Sequence, residues 1–78
     1  MSVSAYILIE TEMGKAGDVA LAIRALPGIT AADDVTGPYD IIVRAEAADL
    51  DSLGRTVLSQ IQVIGGITRT VTCPVVHL

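Results

Sequence analysis

Few residues in this chain are able to do chemistry, and their types decide which chemistry is open. There is one cysteine, Cys73, and one histidine, His77, near the C-terminal end. A thiol or hydroxyl nucleophile needs a base beside it, and no signature links Cys73 or a serine to His77, so covalent catalysis has no visible pair. Structural zinc normally takes four Cys, His or carboxylate ligands, which one sulfur and one imidazole do not supply. Asp33 and Asp34 are adjacent, but neighbours on a strand point to opposite faces and cannot share a proton or a metal. On an edge strand such charges instead discourage pairing with another sheet. We therefore read Cys73 as a packing residue and His77 as solvated, and expect no catalytic residues, no metal and no cofactor.

Binding is the chemistry left. Thr36-Gly37-Pro38-Tyr39-Asp40 is a tight polar turn, and Arg69 to Thr72 opens the last apolar stretch. Backbone amides around Gly37, the Asp40 carboxylate and the hydroxyls of Thr70 and Thr72 suit a ligand with both an amine and a carboxylate, without any acid–base step. The same residues also make an ordinary hairpin turn and an ordinary threonine-rich strand, so spacing alone leaves both readings open.

The elements that must position these groups follow from periodicity. Residues 3–11 alternate with a period of two and are apolar on both sides, as in a central strand. In residues 15–26, Ala16, Val19, Ala22, Ile23 and Leu26 recur at helical spacing, and Pro27-Gly28 stops the helix. A more polar strand over 29–35 enters the turn, where Pro38 sets φ and Gly37 permits positive φ, and an alternating β-branched strand over 41–46 leaves it. Asp49 or Asp51 caps a second helix with a stripe of Leu50, Leu53, Val57, Ile61 and Ile64, ended by Gly65-Gly66. The last strand, 68–77, contains Pro74, which cannot donate to a ladder and so favours an edge or a bulge. Leu-Pro-Gly-Ile-Thr at 26–30 returns as Ile-Gly-Gly-Ile-Thr at 64–68, an internal pseudo-repeat. The order β-α-β-β-α-β predicts an α+β, ferredoxin-like fold: a four-stranded antiparallel sheet with both helices on one face. Tyr6, Leu8 and Ile42 would lie on the bare face, an apolar patch suited to a sheet-to-sheet homodimer.

Seventy-eight residues support one core and one domain, residues 1–78, without an expected helix-turn-helix. A chain so short needs disulfides, a metal or oligomerisation, and only the last remains. Hydrophobic residues make up 51% of it, more than so small a domain can bury, which again asks for a partner. The longest uncharged stretch, 56–68, is too short and too polar to span a membrane. No basic region precedes the first apolar run, so no secretory signal is expected, and a lone thiol suits a cytoplasmic setting. A net charge of −4, with five scattered basic residues and no Phe or Trp, leaves no surface for direct nucleic-acid binding.

The chain resembles the ligand-binding RAM module of Lrp/AsnC transcriptional regulators over almost its whole length. The resemblance is carried by residues 5–8, by Leu-Pro-Gly-Ile at 26–29, by Thr-Gly-Pro-Tyr-Asp at 36–40 and by Gly-Ile-Thr-Arg-Thr-Val-Thr at 66–72. It departs at Gly65, where the family more often has Pro, and at Pro74. The resemblance implies a ferredoxin-like homodimer assembling into an octamer or similar ring, with a small amino acid bound between dimers. It implies binding roles for Gly37, Tyr39, Asp40, Thr70 and Thr72, and mixed assembly with full-length Lrp/AsnC regulators. The alternative is a small dimeric α+β barrel enzyme of the cofactor-independent oxygenase or isomerase type, which would need a polar or His-bearing cavity on the sheet. Acylphosphatase-type chemistry on such a fold uses an Arg and an Asn, and the chain has no Asn.

Overall fold

Period-two alternation places Ala5, Ile7 and Ile9 on one side of strand β1 (Val3–Thr11), and all three are fully buried. In this computed structural model, which describes residues 2–77, β1 is a central strand. The sheet order is β2 (Ile29–Asp34), β3 (Ile41–Ala47), β1, β4 (Ile67–Pro74), antiparallel throughout. Helix α1 (Ala16–Arg24) buries Val19, Ala20 and Ile23. The second helical run, α2, joins an α turn (Leu50–Ser52), a π-helical stretch (Leu53–Leu58) and another α turn (Ser59–Gln62), and buries Leu53, Val57 and Ile61. These residues meet Ile41, Val43 and Ala45 of β3 in one core. Each buried Ile, Leu or Val removes enough apolar surface from water to contribute roughly 1.5–3 kcal/mol.

The pseudo-repeat is visible atom by atom. Gly28 and Gly66 sit at φ +86° and +97°, each just before an edge strand. The Leu26 and Ile64 amides donate to Ile23 and Ile61 carbonyls at 3.0 and 3.1 Å. The Gly28 carbonyl accepts from the Glu46 amide and the Gly66 carbonyl from the Glu12 amide, both at 2.8 Å. Each glycine thus turns the chain and ties the following strand to the end of its neighbour. A Cβ on Gly28 would come within 3.0 Å of Val57 Cγ2, and one on Gly66 within 3.1 Å of Lys15 Cβ.

The structure corrects several expectations. Leu50 is exposed rather than part of the buried stripe: it is the first residue of the helical run, directly after its Asp49 cap, and burial begins at Leu53. The Ser59 hydroxyl, at the end of the π-helical stretch, donates to the Arg55 carbonyl within it. The last strand ends at Pro74, not residue 77, because a residue without an N–H cannot continue the ladder; one bond, Val75 amide to Ser4 carbonyl at 2.9 Å, follows it. Cys73 is exposed rather than packed, since β4 is an edge strand and its register with β1 puts Cys73 beside Tyr6 on the uncovered face. Asp49 caps α2, its Oδ1 accepting from the Ser52 amide at 2.7 Å. That bond holds the Asp49 carboxyl below its ordinary value. Of the expected domain, residues 1–78, Met1 and Leu78 lie outside the described residues.

Candidate functional site

The corner where β1 ends is built by a bulge. The β1–β4 register runs from Ala5 opposite Pro74 to Glu10 opposite Arg69, then shifts, so that Thr11 faces Ile67. The extra residue is Thr68 of β4. On the other side of β1, where pairing with β3 ends at Ile9 and Ile41, the Thr11 amide donates to Asp40 Oδ2 at 2.8 Å, and the Thr11 hydroxyl reaches the same oxygen at 3.2 Å. The Asp40 main chain is held as well: its amide donates to the Ile9 carbonyl and its carbonyl accepts from the Val35 amide, both at 2.9 Å. Asp40 therefore closes the 36–40 turn and fastens it to β1.

Ile9 carries the rest of the corner, because Thr70 of β4 is its partner on the side opposite Asp40. Thr70 and Asp40 thus stand on the two flanks of one β1 residue, both half-buried. Thr72 lies two residues further along, opposite Ile7, half-buried on the same side of the sheet as Thr70. Gly37, at φ +143°, is at the exposed tip of the turn, with open space where a Cβ would stand, and Tyr39 is half-buried. The structure brings Asp40 and Thr70 to one level of the sheet, with Gly37 and Tyr39 on the connecting turn and Thr72 deeper. Thr11 escaped the sequence reading: it ends a strand like many threonines, and nothing local announces a bulge.

The corner is open. Hollows of about 390 and 200 Å³ lie elsewhere, the first beside β2 and lined by Arg24, Ile29 and residues 30–33, the second between the 27–28 turn, the end of β3 and α2. Arg24 Nε and Nη2 both donate to the Ala32 carbonyl, at 3.0 and 2.7 Å, capping the outer edge of β2.

Away from the helices, the sheet is uncovered. Leu8 faces Ile42 on one side and Val71 on the other, and Tyr6 faces Arg44 and Cys73; cross-strand partners share a face. Tyr6 and Ile42 remain 42% and 37% exposed. The Arg44 guanidinium lies 5.0 Å from the Tyr6 ring centre and donates to its hydroxyl at 2.6 Å, while Arg69 and Glu10 pair at 3.6 Å at the rim. Val71 and Cys73 thus enlarge the patch that Tyr6, Leu8 and Ile42 announce in the sequence.

A βαββαβ domain with helices on one face, a bare apolar sheet and a hydrogen-bonding corner at Asp40 defines a class of small ferredoxin-like domains. Residues 4–77 match the family model described as the Lrp/AsnC ligand binding domain, and the chain belongs to that family. It is 28% identical over 75 residues to an HTH-type transcriptional regulator of Pyrococcus horikoshii, covering 92% of this chain and 50% of that protein, so the chain spans half the length of that relative. Among solved structures it is similar to TTHA0845 from Thermus thermophilus, with a TM-score of 0.90 and 28% identity over 97% of this chain and 95% of the other. The fold also matches the transcriptional regulator NMB0573 of Neisseria meningitidis, solved as a complex with L-Met, with a TM-score of 0.83 at 19% identity over 96% and 50% of the two chains. No helix among the described residues is long and apolar enough to cross a membrane.

Proposed function

We propose that the chain is an effector-binding module that holds a small amino acid at the bulged corner and assembles with copies of itself, without catalysing a reaction. The observation that carries this reading is the juxtaposition of Asp40 and Thr70 across Ile9, within a chain that matches a ligand-binding family over residues 4–77. Both Thr11 bonds fall on Oδ2 of Asp40, so Oδ1 is left for an effector's amine. The amides about Gly37 and the hydroxyls of Thr70 and Thr72 suit its carboxylate. Tyr39, half-buried beside Asp40, would line the side-chain end. The L-Met complex of NMB0573 supports an amino acid as the ligand class.

One copy leaves the corner open, which supports completion by a second. The bare face with Tyr6, Leu8, Ile42 and Val71 forms a homodimer, and dimers close over one another's turns to give an octamer or similar ring. TTHA0845, matched over 95% of its length, supports a chain of this size folding as one such domain. The HTH-type relative supports a regulatory setting, in which the module joins full-length Lrp/AsnC regulators in the cytoplasm and touches DNA only through them. The acidic surface favours the same division of labour, since phosphate neutralisation requires clustered Lys and Arg.

Thermal shift against the twenty protein amino acids tests the binding claim. A ligand that binds only the folded form raises the melting temperature, and at a hundredfold excess over Kd the gain is about 2.7 kcal/mol. A rise with one or a few small amino acids is expected, with light scattering showing a larger assembly in their presence. No shift with any of the twenty refutes the effector reading, and tight salt-sensitive binding of the pure protein to duplex DNA refutes its indirect role.

A further inference from the structure

We infer, on the reading that Asp40 meets an effector's amine, that Thr11 is a positioning residue of the site and acts only through Asp40. The Thr11 amide lies on the β3 side of β1, just past the last β1–β3 pair of Ile9 and Ile41, and that amide and the Thr11 hydroxyl converge on a single oxygen, Asp40 Oδ2. With the Asp40 amide on Ile9 and its carbonyl on Val35, three of the four polar atoms of Asp40 are engaged within the chain. The fourth, Oδ1, is left in a direction set by the other three. The carboxylate is ordered before any ligand arrives, so binding does not have to supply that entropy.

The bulge itself is held from its far side. The Glu12 amide donates to the Gly66 carbonyl at 2.8 Å, and Gly66 is packed against Lys15 and Val19 so closely that no Cβ fits without movement. Thr11 therefore stands on a fixed backbone, and its hydroxyl adds a second restraint on Oδ2 that valine, of the same shape, lacks. A residue that only stabilised the corner would change folding; a positioning residue changes affinity, and does so only while its target can use the result.

The test is a double-mutant cycle read by titration calorimetry with each of the twenty amino acids on the full chain. Thr11→Val should weaken binding about three- to tenfold, the worth of one net hydrogen bond, and Thr11→Ser should return it to about the wild-type value. In an Asp40→Asn background, Thr11→Val should change affinity by less than about twofold, since coupled residues are not additive. Unchanged affinity in Thr11→Val, or an undiminished loss in the Asp40→Asn background, overturns the inference while leaving the effector reading standing. Wild-type protein that binds none of the twenty overturns both.

Discussion

Asp40 has two tasks that one pair of substitutions separates. Asp40→Ala removes the acceptor of the Thr11 amide and hydroxyl, at 2.8 and 3.2 Å, and any charge offered to a ligand. A hydrogen bond to a charged group is worth about 1.5–3 kcal/mol and a weaker one about 0.5–1.5 kcal/mol. At this half-buried corner water replaces part of that, so a loss of about 1–2 kcal/mol is expected, or roughly 4–15 °C in melting temperature for a domain of this size. Asp40→Asn keeps an amide oxygen where Oδ2 stands and should cost less than about 1 kcal/mol. For the ligand, the two variants are alike: each lacks the charge that a protonated amine would meet, and each should weaken binding by about ten- to a hundredfold. Denaturant unfolding read by circular dichroism gives the stabilities, and calorimetry the affinities. Equal destabilisation by Asn and Ala would refute the Thr11 tie as an energetic restraint. Wild-type affinity in either variant would remove Asp40 from the site.

Gly66→Ala should lose about 2 kcal/mol or more in the same unfolding assay, combining a φ of +97° with contacts of 3.1 and 3.2 Å, whereas Gly37→Ala meets only open space and should cost less; equal costs would contradict the packing described. Leu8→Asp should convert a dimer to monomer in sedimentation, because an unpaired carboxylate at the centre of the bare face costs roughly 2 kcal/mol or more per copy; a persisting dimer would place the interface elsewhere. Asp49 has its folded-state carboxyl held below the ordinary value of 3.8 by the Ser52 amide, so its stabilising effect is complete above that value and is lost as pH falls through the lower, folded one. Asp49→Ala should therefore be less stable than wild type at neutral pH, and the gap should close in acid below about pH 4. A gap independent of pH would mean that the cap is not the ionised carboxylate.

Much of the fold can be read from residues that alternate or recur. Residues 3–11 announce a central strand because Ala5, Ile7 and Ile9 fall on one side at a period of two, and the repeated Gly-Ile-Thr after each helix announces two equivalent turns. Pro74 marks an edge for a local reason, its missing N–H. Asp49 caps a helix three residues from its partner amide, again a local event. Other features depended on segments far apart in the chain. The bulge at Glu10/Thr11 exists because β1 pairs with β4, and the Thr11–Asp40 bonds join residues 29 apart, so no window around either residue contains the cause. Cys73 reads as packing in an apolar run, yet which side of β4 meets the helices is decided by its register with β1. Leu50 fits the stripe by spacing, yet only Leu53, Val57 and Ile61 of the second helical run are buried in the core. Periodicity is a property of neighbours and survives without the fold; register, bulges and shared hydrogen bonds arise only when distant segments must satisfy each other's backbone groups in one packed sheet.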